Sequence, residues 1–122
     1  FAEVLSNDKP IIMSIDSKKR QIESEKHRIE VLKKGIAGYK DDIKDYREDK
    51  KRDAERYRDR IKNASSASSK QSYRNSKRHS ADNYARRINS KKNDIDRKKN
   101  AIRRHRDRIS DWREDITRIR KR

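Results

Sequence analysis

The chain has 122 residues and no cysteine, and 48% of its residues are charged while only 28% are apolar. This composition excludes a globule with a large core, and the lack of cysteine excludes disulfides and thiolate metal sites. The net charge of +17 is unevenly placed: residues 1–64 carry 18 bases and 14 acids, whereas residues 65–122 carry 20 bases and 7 acids. Such an excess favours a polyanionic partner, with nucleic acid first and acidic protein surfaces or anionic lipid after it.

Residues 1–13 are predicted to form an N-terminal arm, because Pro10 opposes a helix and the regular repeat begins only at Ile15. The chain does not begin with methionine, and Met13 is a second candidate for the natural start. The arm is therefore interpreted either as native or as a remnant of cloning or processing, and the sequence leaves both open.

Residues 14–122 are predicted to form a helical hairpin, because isoleucine recurs every seven residues in two runs of five. This spacing is typical of helices that pack along a seam, with isoleucine at position a of each heptad. The first run predicts a helix over about 15–62, with Ser14 as its N-cap, and the second run predicts a helix over about 73–122. The seam residues are Ile15, Ile22, Ile29, Ile36, Ile43, Ile88, Ile95, Ile102, Ile109 and Ile116.

The segment rich in Ser, Ala and Asn at about 63–72 interrupts the pattern and is the predicted connection. Antiparallel pairing of the two seams places the fold point between residues 65 and 67, inside this segment. The predicted fold class is therefore all-α, an elongated antiparallel helical hairpin or coiled coil, with assembly into a larger bundle left open. After Ile43 the seam spacing changes by an insertion of four residues, giving Tyr46, Lys50, Ala54, Tyr57, Ile61 and Ala64.

A base follows each seam isoleucine by four residues, at heptad position e. Acids three residues ahead of the first three, at Asp16, Glu23 and Glu30, are placed to pair with them along the helix. In an antiparallel pair the e positions of the two helices flank each other, so the two basic rows repel along one edge. We therefore expect a negatively charged partner at this edge. The ladder bases are Lys19, Lys26, Lys33, Lys40, Arg47, Lys92, Lys99, Arg106, Arg113 and Arg120.

The second helix is the more basic one, with 14 bases and 3 acids from Lys70 to Arg106. Bases spaced along a helix reach phosphates rather than base edges, so we expect binding of the nucleic acid backbone without sequence specificity. The alternative is a structural or assembly protein that docks on an acidic protein within a larger complex or a viral particle. The predicted polyanion-binding residues are Lys91, Lys92, Arg97, Lys98, Lys99, Arg103, Arg104, Arg106, Arg113 and Arg120.

No catalytic constellation is present in the sequence, because its three histidines, His27, His79 and His105, are scattered and lack ligand spacing. We therefore expect no enzymatic activity, metal or cofactor. His105 occupies position d and is interpreted as a partly buried structural histidine. Trp112 and the tyrosines are interpreted as packing residues, with stacking on nucleotide bases as the alternative.

No membrane span or signal peptide is recognisable, so an intracellular location or the interior of a viral particle is expected. Self-association is left open.

Overall fold

The computed structural model describes the backbone of residues 2–121 and the side chains of residues 14–121. The described backbone forms two α-helices, α1 (Ala2–Asn63) and α2 (Ala67–Lys121), and contains no strand. Lys18 near the start of the described part of α1 pairs with Asp115 near the end of α2, so the helices run antiparallel. The predicted all-α helical hairpin is confirmed.

Helix α1 begins earlier than the sequence predicted, at Ala2 rather than near residue 15. Pro10 therefore lies within the helix. Proline fixes φ close to the helical value and removes a single backbone donor, so a helix is able to continue through it. The side chains of residues 1–13 lie outside the described part of the structure, and the assignment of these residues as a native arm or a remnant stays a prediction.

The connection between the helices is shorter than predicted, since only residues 64–66 separate α1 from α2. Helix α2 starts at Ala67 instead of near residue 73 because Ser66 caps it. The backbone N–H of Ser69 donates to Ser66 Oγ at 3.1 Å, and that of Lys70 donates to the Ser66 carbonyl at 3.1 Å. Serine satisfies the free donors of a helix start in this way, so most of the Ser-rich segment is helical.

The contacts divide the hairpin into two units, one formed by residues up to Gly35 and from Arg97 onward, the other by Ile36–Asp96. In the first unit five of the six seam isoleucines are 6–7% exposed, and in the second Ile36, Ile43 and Ile95 are 6–9% exposed. Ile15 and Ile88 are half-buried. Each buried isoleucine contributes about 2 kcal/mol to stability. The buried members of the first unit are Ile22, Ile29, Ile102, Ile109 and Ile116.

Beyond Ile43 the second unit packs loosely around half-buried side chains, and the positions of the predicted four-residue insertion are all of this kind. Polar contacts join the helices there. Ser80 Oγ donates to Asp53 Oδ2 at 3.1 Å. Partial removal of the Tyr84 ring from water and the neighbouring Asp53 carboxylate raise the pKa of the tyrosine hydroxyl, which also hydrogen-bonds to Asp53.

Four tyrosines of the second unit lie beside cations of the hairpin itself, and one of them is Tyr57, whose ring centre lies 5.7 Å from the Arg60 guanidinium. Lys91 Nζ lies 4.7 Å from the centre of the Tyr39 ring, and the Arg87 guanidinium lies 6.0 Å from Tyr46 and 5.9 Å from Tyr84. These separations suit cation–π attraction. The geometry favours the packing interpretation of these tyrosines over stacking on nucleotide bases.

The two glycines of α1 provide a test of local packing, because only one of them has a close neighbour. A Cβ atom on Gly35 would lie 3.1 Å from Lys98 Nζ and Cε, whereas one on Gly38 would meet nothing within 4 Å. Alanine in a helix interior is more stable than glycine by about 1 kcal/mol.

We therefore expect Gly38→Ala to raise the free energy of unfolding by about 1 kcal/mol. Gly35→Ala should yield a smaller gain, because the Lys98 side chain must move by a few tenths of an ångström. Thermal unfolding followed by circular dichroism measures the difference. An equal or larger gain for Gly35→Ala would contradict the Lys98 contact.

Candidate nucleic-acid interface

One edge of the hairpin is neutralised by ion pairs between the helices, formed by residues at heptad positions d and g. In the first unit Lys18 Nζ lies 3.4 Å from Asp115 Oδ2, and Arg108 Nη1 lies 3.6 Å from Glu25 Oε1. In the second unit Lys91 Nζ lies 3.5 Å from Asp42 Oδ2. Acids and bases alternate between the two helices at this edge, which leaves no large excess of charge there.

Glu25 is the buried centre of this edge in the first unit, since its side chain is only 4% exposed. His105 Nδ1 makes a close hydrogen-bonding contact with Glu25 Oε2, while Arg108 and Arg28 approach Oε1 at 3.6 Å and 3.5 Å. A buried carboxylate requires such partners, because desolvation of an unpaired charge is costly. The sequence analysis predicted the partly buried His105 but not its partner. The sequence feature that could have indicated this partner is a glutamate, Glu25, at the seam position d, where an apolar residue is usual.

The opposite edge of the first unit is an open groove with bases on both sides, which we call the first basic groove. Lys26 and Arg113 lie across it from each other, as do Lys33 and Arg106, and Lys19 and Arg120. The predicted meeting of the two basic rows is therefore observed in this unit. The first basic groove comprises Lys19, Lys26 and Lys33 of α1 and Arg106, Arg113 and Arg120 of α2.

The two sides of the first basic groove differ in how their charge is balanced. On α1, Lys26 pairs with Glu23 at 3.2 Å and Lys33 pairs with Glu30 at 3.5 Å, as predicted, whereas no pair joins Asp16 to Lys19. On α2, none of the three arginines makes an ion pair with any residue in the described range 14–121. The bases of the groove that make no ion pair therefore lie mainly on α2, whose Glu114 also lines the groove.

The floor of the first basic groove is formed by seam isoleucines that the hairpin already buries. Ile29 and Ile109 line one stretch and Ile22 and Ile116 the next, and each of the four is 6–7% exposed. Thus the groove offers a partner little isoleucine surface to cover. Its recognisable chemistry is the positive charge along its two sides.

The ten predicted polyanion-binding residues do not form one surface. Arg106, Arg113 and Arg120 line the first basic groove, and Lys99 is an exposed ladder base of the same unit. Lys92 belongs to the second unit and lines a groove there. Lys91 and Lys98 occupy seam position d and are only half-exposed, with Lys91 held by Asp42 and Lys98 packed beside Gly35. The remaining three lie exposed at positions b and c, away from the groove: Arg97, Arg103 and Arg104.

Comparison with protein-family models, with curated proteins and with solved structures finds no match to this chain. Within the described residues, neither helix has a stretch long and apolar enough to cross a membrane. No group of three or more metal-ligating side chains occurs within residues 14–121. The candidate site therefore depends on the charge and geometry of the grooves.

The buried pair of Glu25 and His105 gives a prediction for stability. A double-mutant cycle with Glu25→Ala and His105→Ala should yield a favourable coupling free energy of about 0.5–3 kcal/mol, because the partly buried His105 ring contacts the buried Glu25 carboxylate. Denaturant unfolding of the four proteins measures it.

The matched control is the exposed pair of Glu23 and Lys26, for which a cycle should yield about 0.2–0.5 kcal/mol. A coupling between Glu25 and His105 no larger than that of the control would show that the buried contact contributes nothing specific.

Proposed function

We propose that this chain is a non-enzymatic helical hairpin that binds the phosphate backbone of nucleic acid, without sequence specificity, through the first basic groove. One observation carries the proposal: bases from both helices line the same open groove, and no acid of the opposite helix pairs with them among residues 14–121. The other edge shows that the hairpin pairs charges between helices where its sequence provides them.

The spacing of the groove bases also supports backbone recognition. Successive ladder bases are seven residues apart, which is about 10 Å along a helix at 1.5 Å per residue. A regular row of this kind presents charge without the clustered donors and acceptors that read base edges. Arginine and lysine on such a row bind phosphates and displace their counterions.

The buried floor of the groove is a further argument for a phosphate partner. A third helix packed in the groove would gain stability mainly by covering apolar surface, but the four isoleucines are already 6–7% exposed. A phosphate backbone needs no apolar surface and gains from each base it contacts.

The test compares two triple variants with the same loss of charge. The groove variant carries Arg106→Gln, Arg113→Gln and Arg120→Gln, all exposed and free of ion pairs within residues 14–121. The control carries Arg20→Gln, Arg103→Gln and Arg104→Gln, which are also exposed and do not line the groove. Binding of a fluorescein-labelled DNA duplex is followed by anisotropy at several salt concentrations.

The slope of log K against log salt is negative, and we expect the groove variant to reduce its magnitude by about 3. The control should change the magnitude by less than about 1. Equal losses for both variants would show that net charge, and not the groove, governs binding. Absence of binding by the unmodified chain at about 50 mM salt would reject the proposed function. Circular dichroism establishes that both variants keep the helical fold.

An acidic protein is the second candidate partner, in which case the chain is a structural or assembly module. The specific observation in its favour is that bases of this hairpin do pair with carboxylates across a helix interface, as Lys18 does with Asp115 and Arg108 with Glu25. Carboxylates of a partner would satisfy the groove bases in the same manner.

Nuclease treatment separates the two candidates. If nucleic acid is the partner, the absorbance ratio at 260 and 280 nm of the purified protein should fall after digestion and washing in high salt. A defined acidic protein that stays bound after digestion, together with no loss of nucleic acid, would favour the second candidate.

A further inference from the structure

The second unit has its own groove lined mainly by bases, which we call the second basic groove. Helix α1 supplies four of its bases and α2 supplies two, whereas the acids along it are Glu55 and Asp82. The sequence analysis placed Arg47 and Lys92 on the edge where a negatively charged partner is expected, but it assigned no such role to the other four bases. The bases of the second basic groove are Arg47, Lys50, Lys51, Arg58, Arg86 and Lys92.

The basic ladder of α1 reaches this groove by way of the four-residue insertion. Counting seven residues from Arg47 gives Ala54 and then Ile61, so by a strict heptad count the ladder ends at Arg47. An insertion of four moves the flanking position to Lys51 and then, seven residues later, to Arg58. The structure places both on the groove, beside Arg47.

None of the six bases makes an ion pair with any residue in the described range 14–121. The aspartates of α1 are directed elsewhere: Asp42 pairs with Lys91, Asp49 with Arg52, and Asp53 with Arg56. The charge of the groove is therefore less balanced than that of the first basic groove, where Glu23 and Glu30 pair with two of the lysines.

The floor of the second basic groove is formed by small side chains. Ala54 of α1 and Ala85 of α2 lie along it, and Ile88 is the one larger apolar side chain that lines it among the described residues. Methyl groups offer no hydrogen-bonding chemistry to a ligand and little apolar surface to a partner helix. The bases on the two sides are the groups available for recognition.

We propose that the second basic groove is a second binding site for the phosphate backbone of nucleic acid, separate from the first basic groove. This inference rests on the proposed function, because both sites recognise the same ligand chemistry. It extends the part that helix α1 takes in binding to Lys51 and Arg58, and it raises the number of phosphates that one chain neutralises.

The experiment uses the full chain and the labelled DNA duplex. The second-groove variant carries Lys51→Gln, Arg58→Gln and Arg86→Gln, which are exposed and unpaired within residues 14–121. Its matched control carries Lys44→Gln, Arg74→Gln and Arg78→Gln, which remove the same charge from exposed positions of the same unit that do not line the groove. The first-groove variant, with glutamine at residues 106, 113 and 120, is measured in parallel.

We expect the second-groove variant to reduce the magnitude of the slope of log K against log salt by about 3. Its control should change that magnitude by less than about 1. A second-groove variant that behaves like its control, while the first-groove variant still loses affinity, overturns this inference and leaves the proposed function standing. If both groove variants match their controls, the proposed function fails as well. Circular dichroism of each variant excludes a loss of fold as the cause.

Discussion

Isoleucines spaced seven residues apart form the apolar core of this chain, and the placement of the other side chains depends on them. Eight of the ten are 6–9% exposed, and no other apolar side chain within residues 14–121 is buried. The isoleucines occupy only position a, so residues at positions d and g lie on one side of this apolar row and residues at position e lie on the other. Because the isoleucines fix how each helix faces its neighbour, the residues chosen for these flanks decide the charge of each edge.

A strict repeat does not by itself select one alignment of the two helices, because a slip of one heptad still sets isoleucine beside isoleucine. Two features break this degeneracy. The connection of three residues leaves little slack, and Ser66 fixes where α2 starts. A slipped alignment would also place Trp112 or Lys98 opposite Glu25 in place of His105. Glu25 is almost fully buried, so the loss of a hydrogen-bonding partner opposes the slip.

The sequence predicted the features that follow from period and charge: two helices, a fold point near residues 65–67, the isoleucine seam and the meeting of the basic rows. The predictions were wrong at positions where one residue type was expected to end or interrupt a helix. Pro10 was expected to prevent a helix, but α1 continues through it. The serines after Asn63 were expected to form a loop, but Ser66 caps α2. The burial of Glu25 depends on which side chains contact it from α2, and a heptad count does not show those contacts. The continuation of the basic ladder at Lys51 and Arg58 was missed because a strict count of seven passes over both residues.

In the basic groove of each unit, bases of both helices lie near one another, and within residues 14–121 no acid of the opposite helix pairs with them. Like charges that face each other destabilise the isolated hairpin, and its few buried isoleucines leave only a small stabilising surplus. A partner that binds only the folded hairpin adds a stability that grows with the logarithm of its concentration relative to Kd. Under the proposed function, a polyanion would do so by neutralising the charges that oppose folding. Under the proposed function, repulsion in the free chain and affinity for phosphate would therefore have the same origin, namely the unpaired bases of the two grooves.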